Sequence, residues 1–139
     1  MRFYSRKKPN VVTRFINEKK RINFDTQKAN FSAFYRTKDL LEGEISVFDI
    51  DDLLAGDSEK IFLFGDKKVC KRNKSIARAD LKVRDVENIR YNLEYLKVLP
   101  EFFSKHCAIV PFPSDELQAQ NLSTNLAFIS NLYLRENKD

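Results

Sequence analysis

Two carboxylates and an amine stand at a spacing that suits phosphoryl chemistry. Asp80-Leu81-Lys82 lies in an alternating stretch, and Asp66 comes fourteen positions earlier. Residues two apart on a strand share a face, so Asp80 and Lys82 project together. Acids brought together can hold a divalent cation, and a bound cation activates water or polarises a phosphoryl oxygen. The acid-x-Lys tripeptide recurs at Glu18–Lys20, Asp66–Lys68 and Glu136–Lys138. A second group of acids is Asp49, Asp51, Asp52, Asp57 and Glu59. Carboxylates at a strand end suit Mg²⁺. Acids that favour the positive end of a helix look the same in sequence. His106 is the single histidine, and at the start of a short strand it reads as a structural group.

Asp66, Asp80 and Lys82 resemble the PD-(D/E)xK nuclease pattern, and the resemblance covers these three residues only. It implies a metal-dependent nuclease-like enzyme with the acids on the metal and Lys82 on the water. Arg14 and Arg78 each lie within a strand, with Tyr35 in reach of a sheet. That picture is similar to small ADP-ribosyltransferase-like domains and implies an anion clamp. It lacks the Arg…Ser…Glu order, so no residue role carries over. Ala77-Arg78-Ala79-Asp80 and the stretch from His106 to Pro113 resemble small bacterial proteins, which implies no function.

Several chemistries are excluded. A phosphate-cradling loop needs clustered glycines beside Lys-Ser or Lys-Thr, and Gly43, Gly56 and Gly65 do not provide one. A structural zinc site needs three or four ligands at fixed spacing, whereas Cys70, Cys107 and His106 are the only soft donors. Adjacent His106 and Cys107 point to opposite sides of a strand and cannot form a nucleophile pair. No cofactor or metal is expected. The first residues carry no apolar leader, and the apolar runs Ile61–Phe64 and Ala108–Phe112 are too short to span a bilayer. The expectation is a cytoplasmic chain, away from membranes, with reduced thiols.

Charge is unevenly placed. The net charge is +5, yet residues 1–30 alone carry +7 and the other 109 carry −2. Arg2, Arg6, Lys7, Lys8, Arg14, Lys19, Lys20 and Arg21 are interleaved with Phe3, Tyr4, Phe15 and Phe24. Positive charge that tracks a backbone, with aromatic faces for stacking, suits single-stranded nucleic acid; a solubilising arm has the same composition. At the other end, Leu117 to Leu134 contains no charged residue in a chain that is 32% charged. Random placement gives such a run with a probability on the order of one in a thousand. Neutral polar groups are cheaper to desolvate than charges, so this face tolerates an interface. Burial on both sides within the chain's own domain is the alternative.

The elements that position these residues follow from pattern. Twelve Phe, five Tyr and 42% hydrophobic residues exclude disorder, and 139 residues suffice for one core. Val11–Ile16, Phe31–Tyr35, Glu44–Ile50, Ile76–Val83 and His106–Val110 read as strands. The alternation in Ile76–Val83 puts Arg78, Asp80 and Lys82 on a charged outer face. A short helix from Ser58 to Gly65 or a strand at Lys60–Phe64 fits the next segment equally, and a helix is expected from Asp85 to Leu96. A longer helix opens at Ser114, and Leu117, Leu122, Leu126, Ile129, Leu132 and Tyr133 form its apolar stripe. The fold class is therefore α+β, a mostly antiparallel sheet packed with a C-terminal helix. Residues 1–10 form a basic N-terminal arm and 11–139 a single domain. The expected function is a non-enzymatic binding subunit or regulator of bacterial type. Its basic segment contacts nucleic acid, and Leu117, Leu122, Leu126, Ile129 and Tyr133 contact a protein partner or a second copy. The alternatives are the nuclease-like enzyme and a pure protein–protein module, antitoxin- or immunity-like.

Overall fold

The β-branched run Val11–Ile16 forms strand β1, and the alternating run Ile45–Asp49 forms β4 beside it. The computed structural model describes residues 7–91, 93–101 and 104–136. Between β1 and β4 lie a two-stranded hairpin, β2 (Ile22–Asn23) and β3 (Lys28–Ala29), and the short helix α1 (Thr37–Glu42). Gly43, at φ 68°, ends α1 in the left-handed conformation that glycine adopts without strain. After β4 come α2 (Ser58–Lys68), β5 (Ala77–Lys82) and α3 (Val83–Glu87). A small hairpin follows, β6 (Arg90–Tyr91) and β7 (Glu94–Tyr95), then β8 (Lys97–Pro100) and β9 (His106–Val110). The chain ends its described part with α4 (Glu116–Ile129) and β10 (Asn131–Leu134).

The main sheet has six strands in the order β10-β5-β1-β4-β9-β8, and every pairing is antiparallel. The architecture is thus α+β with a C-terminal helix against an antiparallel sheet. The registers set two faces. Val12, Ile16, Ala77, Ala79, Leu81, Val47 and Ile109 build the main core, which Leu122, Leu126 and Ala119 of α4 close. The other face carries Thr13, which pairs with Asp80 on one side and Phe48 on the other; Phe48 in turn pairs with His106. Phe15, Ile50, Ile61 and Cys70 form a second, smaller core there.

Four local expectations are corrected. Phe31–Phe34 is a 3-10 turn rather than a strand, with Phe34 and Ala33 buried in the core. The helix from Asp85 stops at Glu87; the Leu96 amide returns to the Ile89 carbonyl at 2.9 Å, so the apolar spacing belongs to a hairpin. The chain turns there at Leu93, φ 69°. Asp115, not Ser114, caps α4 by accepting from the Gln118 amide. Leu132 and Tyr133 lie on the edge strand β10, because the helix ends at Ser130, whose hydroxyl donates to the Ala127 carbonyl at 2.7 Å.

Candidate functional site

The charged face of β5 is not exposed. Arg78 and Asp80 are 5% and 6% accessible, covered by α2 and flanked by β10. Burying an arginine requires partners for its donors. The Arg78 guanidinium donates to Asp80 at 3.1 Å and to the Ser58 hydroxyl at 2.7 Å. It also lies over the rings of Tyr133 at 4.6 Å and Phe62 at 5.5 Å. Asp80 further accepts the Thr13 hydroxyl at 2.7 Å. Burial pushes its carboxyl above the ordinary 3.8, against the pull of Thr13 and Arg78. Asp66 sits on α2 and accepts the Ser75 amide, the Ser75 hydroxyl and Arg135 at 2.7–2.8 Å. Burial pushes that carboxyl up, but these donors outweigh it and hold it below 3.8. Arg135 also pairs with Glu59. Lys82 stands apart, exposed at the strand end, beside a groove of about 510 Å³ that it shares with Lys8 and Arg84. Asp66 and Asp80 are thus each held by a different arginine.

The other acids also have local work. Asp51 accepts the Asn10 and Val11 amides, and Asp57 caps α2 through the Glu59 amide. Asp52 pairs with Lys105, and Asp49 accepts the Asp51 amide. Among the described residues, no three His, Cys, Asp or Glu side chains are grouped to hold a metal ion. None of their helices is long and apolar enough to cross a membrane. Cys70 and Cys107 are both buried and neither is in a disulfide.

The basic residues divide sharply. Arg2 and Arg6 lie outside the described residues. Arg14 is 6% exposed and donates to Asp39, the Ala33 carbonyl and the Ser46 carbonyl. Burial pulls its affinity for the proton down, although Asp39 opposes this. Lys8 pairs with Glu87, and Lys20 and Arg21 pair with Glu18. Lys7 and Lys19 are exposed. Lys19 lines an open cleft of about 570 Å³ with Phe24, Lys74, Leu134 and Arg135. Lys74 closes a run that the N-terminal reading did not single out: Lys67, Lys68, Lys71, Arg72 and Lys74, all exposed. Its five cations within eight residues were the available signal.

On α4, Leu122 and Leu126 are buried in the protein's own core and Ile129 packs against it. Leu117 is 68% exposed and Phe128 78%. Together with Asn121 and Thr124 they form one neutral outer stripe, at intervals of four, three and four residues.

A third constellation joins residues far apart in sequence. The register of β4 on β9 places His106 opposite Phe48, diagonal to Ser46. His106 Nε2 lies 3.0 Å from Ser46 Oγ, and its Nδ1 lies 2.9 Å from Glu101 Oε1. Glu101 is oriented by the β8–β9 connection: its amide donates to the His106 carbonyl at 3.0 Å, and Ser104 donates to its Oε2. The Phe48 ring packs against the imidazole at 5.6 Å. Ser46 also lines a pocket of about 80 Å³ with Arg14, Arg36, Lys38, Asp39 and Phe48. Arg36 Nε is buried without a hydrogen-bond partner among the described residues.

No family model, no curated protein and no solved structure matches this chain. The functional argument therefore rests on geometry. Of the three constellations, the sequence reading had no signal for the last: Ser46, Glu101 and His106 share no motif, and only strand register brings them together.

Proposed function

We propose that the protein works by binding, with nucleic acid held along a basic surface and a second copy of the chain held on α4. The observation that carries the first contact is the 570 Å³ cleft, which Lys19 of the N-terminal segment, Lys74 of the second basic run and Arg135 line with the half-exposed ring of Phe24, against the acids Glu59, already paired with Arg135, and Glu136. Cations that line one cleft neutralise phosphates, and an exposed aromatic face among them accepts a base. The N-terminal contribution is narrower than its +7 suggests, because Arg14, Lys8, Lys20 and Arg21 already face acids of the same chain. Fluorescence anisotropy with a labelled single-stranded oligonucleotide tests this. The double reversal Lys19→Glu with Lys74→Glu should weaken binding for every sequence and flatten the log K against log salt slope by about 1.4 for two lost phosphate contacts. An unchanged affinity and slope would overturn the reading.

The second contact is supported by the outer stripe of α4. A neutral stripe with Leu117 and Phe128 at its two ends is self-complementary when two helices run antiparallel, each leucine meeting the partner's phenylalanine. Sedimentation equilibrium should show a dimer that Leu117→Glu or Phe128→Glu dissociates. A monomer at all concentrations would refute it.

A further inference from the structure

We propose that Ser46 is a nucleophile with His106 as its general base, and that the pocket beside it takes the short acyl part of an ester bearing an anionic group. This stands independently of the nucleic-acid reading.

The proton positions follow from the partners. Glu101 as a carboxylate can only accept, so the imidazole hydrogen at 2.9 Å sits on Nδ1. Nε2 then presents its lone pair to Ser46 Oγ at 3.0 Å, and the hydroxyl donates to it. That is the order nucleophile, base, orienting carboxylate that serine hydrolases of unrelated folds share. The frame is rigid on both sides. Arg14 Nη1 donates to the Ser46 carbonyl at 2.7 Å, and the Phe48 ring backs the imidazole. The pocket that Ser46 faces holds three cations, Arg14, Arg36 and Lys38, and one acid, Asp39, which Arg14 already pairs at 2.7 Å. Arg36 and Lys38, the latter 3.9 Å from Glu42 of α1, leave that pocket positive. Arg36 lines the same pocket as Ser46, and its guanidinium supplies there the positive charge that an oxyanion requires. A volume of about 80 Å³ limits the acyl part to a few carbons.

The reaction balances without a further cofactor. Ser46 Oγ attacks the ester carbonyl carbon as its proton passes to His106 Nε2, and the carbonyl oxygen becomes an oxyanion facing Arg36. The tetrahedral adduct collapses, the C–O bond to the alcohol breaks, and the alkoxide leaves with the proton from Nε2. Water, deprotonated by Nε2, then attacks the acyl-serine; the C–O bond to Ser46 breaks, the carboxylic acid leaves, and Nε2 returns the proton to Ser46 Oγ. Glu101 is a positioning residue that acts through the imidazole.

The test uses the full chain, an alkyl fluorophosphonate, p-nitrophenyl acetate and p-nitrophenyl hydrogen succinate. The fluorophosphonate should add once with loss of fluoride, and peptide mapping should place the adduct on Ser46 of the wild-type protein. Hydrolysis should fall at least about 100-fold in His106→Gln and about 100-fold in kcat for Arg36→Gln. Glu101→Gln should lower kcat at unchanged KM and displace the pH profile, which a merely structural role would not do. Lys38→Gln should erase the preference for succinate over acetate through KM. Absence of an adduct on folded wild-type protein overturns the proposal. So does an adduct mapped elsewhere, or hydrolysis unchanged in Ser46→Ala whose urea melt matches wild type.

Discussion

Gly65→Ala sets two effects of opposite sign against each other inside α2. An alanine within a helix is favoured over glycine by about 1 kcal/mol, so local propensity alone predicts a more stable protein. The surroundings predict the reverse. A Cβ on Gly65 would lie 2.4 Å from Cδ1, 2.5 Å from Cε1 and 2.8 Å from Cγ of Phe15. Carbon atoms pack at roughly 3.5–4.0 Å, so the ring must retreat by roughly an ångström. It has nowhere to go. Phe15 is 3% exposed and is flanked by Phe48 and Phe64, each with ring centroids 6.2 Å away. Overpacking of this kind costs about 1–3 kcal/mol, and a clash with a whole ring edge belongs at the upper end. The net expectation is a loss of about 2 kcal/mol, read as a lower urea midpoint at unchanged slope. Phe15→Leu in the same background removes the ring edge, so the double variant should be more stable than the sum of the two single losses. A Gly65→Ala protein that matches or exceeds wild type would refute the close approach of α2 to β1.

The remaining predictions concern the buried charges and thiols. Asp80→Asn keeps a partner for Thr13 but leaves Arg78 facing no carboxylate. Breaking a buried pair costs about 3–5 kcal/mol, but burial already disfavours the Asp80 carboxylate, and Ser58, Phe62 and Tyr133 still hold the guanidinium; the loss should stay well below that range, and a urea-derived loss of about 3 kcal/mol or more would contradict the raised Asp80 carboxyl. The pH dependences of the two acids have opposite signs. Asp66 titrates in the folded protein below its ordinary 3.8, so its contribution is full above 3.8 and disappears as pH falls through the depressed value. Asp80 titrates above 3.8, so its ionisation lowers stability as pH rises through that window. Urea melts across the acid range should therefore show Asp66→Asn losing the acid limb of the stability curve and Asp80→Asn losing the opposite slope; two variants parallel to wild type would contradict both assignments. Burial pushes the Cys70 thiol up, so a disulfide reagent should modify it only as fast as the protein opens, and immediate reaction in native buffer would contradict its burial.

Fold class was legible because the strongest signals are local. Val11–Ile16 and His106–Val110 emerge with the bounds read from β-branched composition, and the capped, amphipathic segment after Ser114 emerges as α4. The failures share a cause. Alternation tells which residues lie together on a strand, not what covers them, so Arg78 and Asp80 read as a solvent face although α2 occupies it through Ser58 and Phe62. Helical spacing in Val86, Ile89 and Leu96 was equally true of a hairpin whose two arms reach the same core. Neither the burial of Arg14 nor its contact with Ser46 is visible in composition. The guanidinium donates to the Ser46 carbonyl where β1 and β4 have no registered pair beyond Thr13 and Phe48, which is a tertiary event.

The same sheet face links the stability test to the proposed chemistry. Gly65 touches Phe15, Phe15 packs on Phe48, and Phe48 packs on His106 at 5.6 Å. Phe15 and Phe48 also line the pocket onto which Ser46 opens. Close-packed rings transmit displacement because they have few alternative positions. A methyl group on Gly65 that drives the Phe15 ring aside must therefore narrow that pocket or tilt the imidazole. Fluorophosphonate labelling of Ser46 should slow in Gly65→Ala under conditions where the protein stays folded, and Phe15→Leu in the same chain should restore it. A destabilising change on the opposite face, such as Leu126→Ala on the core side of α4, should lower the urea midpoint without touching the labelling rate. If both variants slow labelling in proportion to their lost stability, the effect is global opening rather than contact along this row of rings.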